Sequence, residues 1–132
     1  MFFWLIALWL VPVAAFLWAR RFDPTRLWRI TGSAFGAVVS PAAMGLYGLY
    51  FVGPIPALIG MLVGLPLTLI HGGPGYNLAI WFGLIQPRTV VEGVEHLYIE
   101  LLNGVLWLAI YGTLGWIVDW FRARRKTQKV IR

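Results

Sequence analysis

The chain contains no cysteine. Disulfides, thiolate metal sites and cysteine nucleophiles are therefore excluded outright. Charge is scarce as well: only 12% of the 132 residues are charged, and five of them are acidic. From Ala34 to Ile70 there is no charged side chain. That run approaches twice the roughly 20 apolar residues that one helix needs to cross a bilayer. A soluble domain of this size keeps much of its surface in water and could not bury such a run. Also missing is a basic stretch ahead of the first apolar segment, Met1 to Trp18. A secretory signal normally begins with one, so this segment reads as a permanent helix.

What remains is apolar: 60% of residues are hydrophobic, with eight tryptophans and five tyrosines. Amphipathic aromatic rings favour the headgroup level of a bilayer. The reading is an all-α, polytopic integral membrane bundle forming a single membrane domain. The net charge of +6 would ordinarily suggest nucleic acid. Here the positive charges gather in two clusters beside apolar segments, which fits anionic lipid headgroups and control of topology and argues against nucleic acid.

The apolar segments are 2–18, 30–52, 57–70, 78–86 and 101–121. Between the first two lies a basic loop, 20–29, with Arg20, Arg21, Arg26 and Arg29 against one aspartate, Asp23. After the last comes a basic tail, 122–132, which opens with Arg122, Arg124, Arg125 and Lys126. These eight cations are the candidate lipid-headgroup contacts. By the positive-inside rule both clusters face the cytoplasm and the N-terminus lies outside. The location expected from short loops and basic flanks is a bacterial inner membrane.

Glycine and proline divide the middle. Gly53-Pro54-Ile55-Pro56 predicts a turn, since each proline removes a donor and biases its predecessor away from helix. Segments 30–52 and 57–70 then form a membrane hairpin. His71-Gly72-Gly73-Pro74-Gly75-Tyr76-Asn77 predicts a second break and resembles an anion cradle only in composition, lacking the Lys and Ser/Thr of a phosphate loop. An outside N-terminus and an inside C-terminus require an odd number of crossings. Three to five membrane segments are in play. Either 75–87 makes a short fifth crossing, or the Gly/Pro-broken stretch between Gly53 and Pro87 is re-entrant, or a four-pass arrangement breaks the charge rule.

Gly32, Gly36 and Ser40 recur at steps of four, as do Gly60, Gly64 and Thr68. Each set makes a stripe of small residues on a helix, of the kind that lets helices approach closely in lipid. Packing within the chain and docking to another subunit are both open. Glu92, His96 and Glu100 are also four apart, with Asn103 next, in an acidic amphipathic stretch 89–103. A helix from Thr89 to Phe121 would be about 50 Å long, so the first half is expected at or beyond the interface, as a solvated face. The other readings are a partner interface and a metal site on Glu92, His96 and Glu100, for which a single helix cannot close the coordination sphere. Haem ligation by His71 with His96 is compatible with the re-entrant topology alone. No cofactor is expected.

No carboxylate falls at the centre of an apolar segment, and Asp119 is placed to pair with Arg122. This argues against a proton-coupled carrier, which needs an ionisable group at depth. The function expected is a small, non-catalytic subunit of a larger membrane complex, binding lipid and other membrane subunits or itself. An oligomeric transporter or pore is the first alternative, and a membrane immunity or exclusion protein the second. An enzyme would need a nucleophile, a base and a pocket in convergence, and Glu92, His96 and Glu100 alone do not supply them.

Overall fold

In hydrocarbon, a backbone segment must satisfy its own N–H and C=O groups, which favours helix wherever the side chains are apolar. The computed structural model describes residues 3–87, 91 and 93–130. Among them there is no β-strand. A 3-10 run, Phe3–Trp9, leads into α1 (Leu10–Phe22). A short 3-10 turn at Pro24–Arg26 precedes α2 (Leu27–Gly48). After a further 3-10 turn, Leu49–Phe51, come α3 (Pro54–Ile59), a π-helical turn over Gly60–Gly64, and α4 (Leu65–Trp81). The last helix, α5, runs Val94–Val130. Four stretches have the length and apolarity of a membrane span: Leu5–Phe22, Pro24–Phe51, Pro54–Trp81 and Val94–Arg125.

α2 is the centre of the bundle. Its glycines meet α5 with no side chain between: an added Cβ would overlap the Tyr111 carbonyl at Gly32 and the Trp107 carbonyl at Gly36. From the other side, Gly115 of α5 sits on the Trp28 carbonyl. Rising numbers on α2 thus meet falling numbers on α5, so the two are antiparallel. The first segment also runs antiparallel to α2. Leu5 and Ile6 lie on Gly45, the Trp9 indole Nε1 donates to the Ala42 carbonyl at 3.3 Å, and Phe16 packs on Trp28.

These contacts fix the two ends. Residues 20–29 and the C-terminal turns of α5 share one end, the basic end. The chain start, the end of α2 and the beginning of α5 share the other. Everything between Gly48 and Val94 must therefore leave the far end and return to it. The run Pro54–Trp81 does so. Gly60 lies on Tyr50, Gly64 lies on Tyr47, and Ala79 ends the run in a buried cluster with Ile85 and Ile99. At 28 residues the run is about 42 Å long, and like the other three stretches it has the length and apolarity of a membrane span. The short fifth crossing is overturned: Leu78–Trp81 is the last turn of α4, followed by a turn in which Gly83 has φ +71°.

Two further expectations change. The break foreseen at His71–Asn77 is continuous helix within α4. α2 begins at Leu27, three residues before Ile30, because Asp119 caps its first turn. α5 continues through the basic residues to Val130. Pro41 lies inside α2 without ending it.

Candidate functional site

The buried polar side chains of the described residues are Ser40, His71 and Asn103. They lie where α4 crosses α5 and where α5 meets α2. Burying a polar group in an apolar setting is unfavourable unless it is hydrogen-bonded, so each must be accounted for. Asn103, with 0% exposure, accounts for itself fully. Its Oδ1 accepts from the Gly75 backbone N–H at 2.6 Å, and its Nδ2 donates to the Gly72 carbonyl at 3.0 Å. One turn on, the Trp107 indole donates to the His71 carbonyl at 2.9 Å.

Those three bonds explain the unbroken helix. Pro74 has no N–H to give to the preceding turn, and glycine holds a helix weakly. Side chains from α5 supply partners to the weakened backbone instead. Glycine is required at 75 because the two helices touch there: a Cβ would collide with the Asn103 carboxamide and lie 2.5 Å from the Ile99 carbonyl oxygen.

His71 is held by both ring nitrogens. Nδ1 is 2.9 Å from the Leu67 carbonyl, and Nε2 is 2.9 Å from the Tyr111 hydroxyl. A carbonyl only accepts, so Nδ1 carries the proton, and in the neutral ring the tyrosine hydroxyl donates to Nε2. The Trp107 ring lies 4.6 Å from the imidazole, centroid to centroid, and Phe35 meets Tyr111 edge-on at 4.8 Å. Haem ligation by His71 and His96 is not supported by this geometry. His71 meets α5 at Trp107 and Tyr111, several turns from His96, and both its nitrogens are engaged.

The second half of the site is Glu100. Its carboxyl faces Ser40 of α2 and lies one turn from His96. Ser40 is near the middle of the Pro24–Phe51 span. Ser40 Oγ and Glu100 Oε2 are both buried, and neither completes a hydrogen bond of acceptable geometry. The solvated face foreseen for Glu100 and Asn103 is thus an interior face, and a carboxylate does lie against the middle of an apolar helix. Glu92 lies outside the described residues, and no group of three His, Asp or Glu side chains near enough to hold a metal occurs among those described.

Both small-residue stripes are occupied within the chain. Gly32 and Gly36 lie against α5, Ser40 faces Glu100, and Gly60 and Gly64 lie against the end of α2. Thr68 donates its hydroxyl to the Gly64 carbonyl at 2.8 Å. Of the candidate lipid contacts, Arg20, Arg21, Arg26, Arg122, Arg124 and Arg125 are exposed and Arg29 is half-buried. The side chain of Lys126 lies outside the description. Arg124 stacks over the Trp120 ring at 3.7 Å. Arg26 reaches Asp23 at 3.6 Å. The Thr25 hydroxyl bond, helped by the Arg26 charge, holds the Asp23 carboxyl below its ordinary pKa.

Asp119 makes no ion pair with Arg122. It accepts from the backbone N–H groups of Trp28 at 3.2 Å and Arg29 at 2.9 Å, serving as a remote N-cap for α2. Sequence reasoning passed over this role and over Trp107 and Tyr111. A signal was present: Asn103, Trp107 and Tyr111 recur at steps of four, a polar-tipped stripe on an otherwise apolar helix.

No protein-family model, curated protein or solved structure matches this chain.

Proposed function

We propose that this chain is a small, non-catalytic subunit of a larger assembly in a bacterial inner membrane, with its basic end in the cytoplasm. The observation that carries this reading is the outer face of α4. Gly73 has open space where a Cβ would be, and one turn on, Asn77 is exposed. A carboxamide and a glycine together on the outside of a membrane-length helix suit a second helix, which approaches over the glycine and bonds the amide. The two inward stripes are already filled, so this face is where such a partner fits. Native mass spectrometry after gentle detergent extraction tests it. A heteromeric complex is expected from wild type and its loss from the Gly73→Leu, Asn77→Leu double variant. A wild-type monomer would overturn the proposal.

A second reading follows from Glu100. An ionisable residue packed against the middle of a membrane helix marks ion or proton pathways in many membrane proteins, which favours a small oligomeric transporter. This reading predicts proton or cation flux in proteoliposomes that Glu100→Gln removes. Absence of flux from wild type would end it.

A further inference from the structure

At the basic end, an open groove of about 330 Å³ runs along the outside of the close contact between α2 and α5. It exists because of its sequence. Arg29 and Ser33 are one turn apart on α2. Ala109, Thr113 and Trp116 share one face of α5 by their helical spacing. Gly112 forms the floor, where an added Cβ would come within 2.6 Å of Ser33 Oγ.

The lining is graded. Arg29 and Trp116 stand at the end nearer the basic loop, and both also line a second groove of about 250 Å³ with Arg26. Ser33 and Thr113 bring hydroxyls into the middle. Leu108 and Ala109 make the far part apolar. Asp119 lines the second groove and carries its negative charge there, whereas Arg29 is the one charged residue lining the larger groove. Asp119 is committed to the start of α2, and Asp23 to Thr25 and Arg26. Among the described residues, no carboxylate comes within ion-pair distance of the Arg29 guanidinium.

A guanidinium matches a phosphate by geometry as well as charge. Basic pockets between membrane helices hold anionic headgroups, and a tryptophan beside them is suited to the headgroup level. We infer that this groove binds one anionic glycerophospholipid. Its phosphate lies on Arg29, its glycerol region beside Ser33 and Thr113, and one acyl chain along Leu108 and Ala109. The inference does not depend on the subunit reading above.

The test uses the full chain in a mild detergent with phosphatidylglycerol or phosphatidylcholine added, and bound lipid read by native mass spectrometry. Wild type is expected to retain one phosphatidylglycerol in preference to phosphatidylcholine. Arg29→Gln should lower the retained fraction about tenfold, while Arg125→Gln, outside both grooves, should leave it unchanged. Ala109→Phe leaves every charge in place but fills the apolar end, and it too should lose the lipid. Helical content by circular dichroism and elution volume confirm that each variant is folded. Equal losses in Arg29→Gln and Arg125→Gln would overturn the inference in favour of diffuse attraction. Retention undiminished in Ala109→Phe would overturn the chain-binding part. Displacement of the lipid by inorganic phosphate at millimolar concentration would reduce the site to a simple anion site.

Discussion

Asn103 does the work that would otherwise fall to several residues. Its carboxamide bonds both a donor and an acceptor of the Gly-Gly-Pro-Gly turn in α4. Replacing it with leucine keeps its volume roughly constant but leaves the Gly75 N–H and the Gly72 carbonyl without it. A loss of roughly 1–2 kcal/mol is expected, read as a lower midpoint in a detergent-denaturation titration. The neighbouring glycines should respond in opposite directions. Gly75→Ala places a methyl against the Asn103 carboxamide and the Ile99 carbonyl, and overpacking of this kind costs about 1–3 kcal/mol. Gly73→Ala meets open space and replaces a poor helix former by the best one, a gain of up to about 1 kcal/mol. The same titration on both variants checks the pair. If the two shift alike, the close contact at position 75 is not where the structure places it. These differences were not legible in the sequence, because Gly72, Gly73 and Gly75 look identical until the partner helix is known.

At the scale of the element, apolarity located the helices, but glycine and proline misplaced their ends. The stripes at Gly32, Gly36 and Ser40 and at Gly60 and Gly64 were readable as packing surfaces, since spacing alone puts them on one face. Which surface they would meet was not, because that depends on residues 60 to 79 positions away for the first stripe and 10 to 17 for the second. Separations of 28 to 40 positions hid the helix through His71–Asn77. Local propensity predicts a break, and α5 overrides it by bonding the backbone. The acidic stretch failed for a related reason. Helical spacing put Glu100 and Asn103 near one face, yet Glu100 faces Ser40 of α2 and Asn103 faces α4 rather than solvent. Asp119 belongs here too. Its two bonds hold the first turn of α2 to the last turns of α5. Asp119→Ala should therefore lower stability by roughly 1.5–3 kcal/mol, and hydrogen exchange should show the loss first at the amides of Trp28 and Arg29. Uniform exchange across α2 would contradict a local cap.

For the whole molecule, the antiparallel contacts of α2 with the first segment and with α5 place the basic loop and the C-terminal turns of α5 at one end, and the turn that follows Trp81 at the other. The absence of native cysteine makes this easy to probe. Thr25→Cys and Gln86→Cys, each in the otherwise unchanged chain, should label from opposite faces of a sealed membrane vesicle. Labelling from the same face would mean that Pro54–Trp81 completes a crossing. That the basic clusters gather at one end was readable from charge alone. That Pro54–Trp81 begins and ends near the other end depends on Gly64, Gly75 and Ala79 meeting their neighbours, which no local pattern reveals.

The bond from Asp119 to the start of α2 has a consequence for how the molecule is made. The cap and the amides it satisfies are separated by 90 and 91 positions. At a translation speed of about 5–20 residues per second, the nascent second helix waits roughly 5–18 s with its leading amides unsatisfied by the chain. During that interval water or lipid headgroups at the basic end meet them, and only as the final helix leaves the ribosome does the polypeptide gain the clasp that closes it.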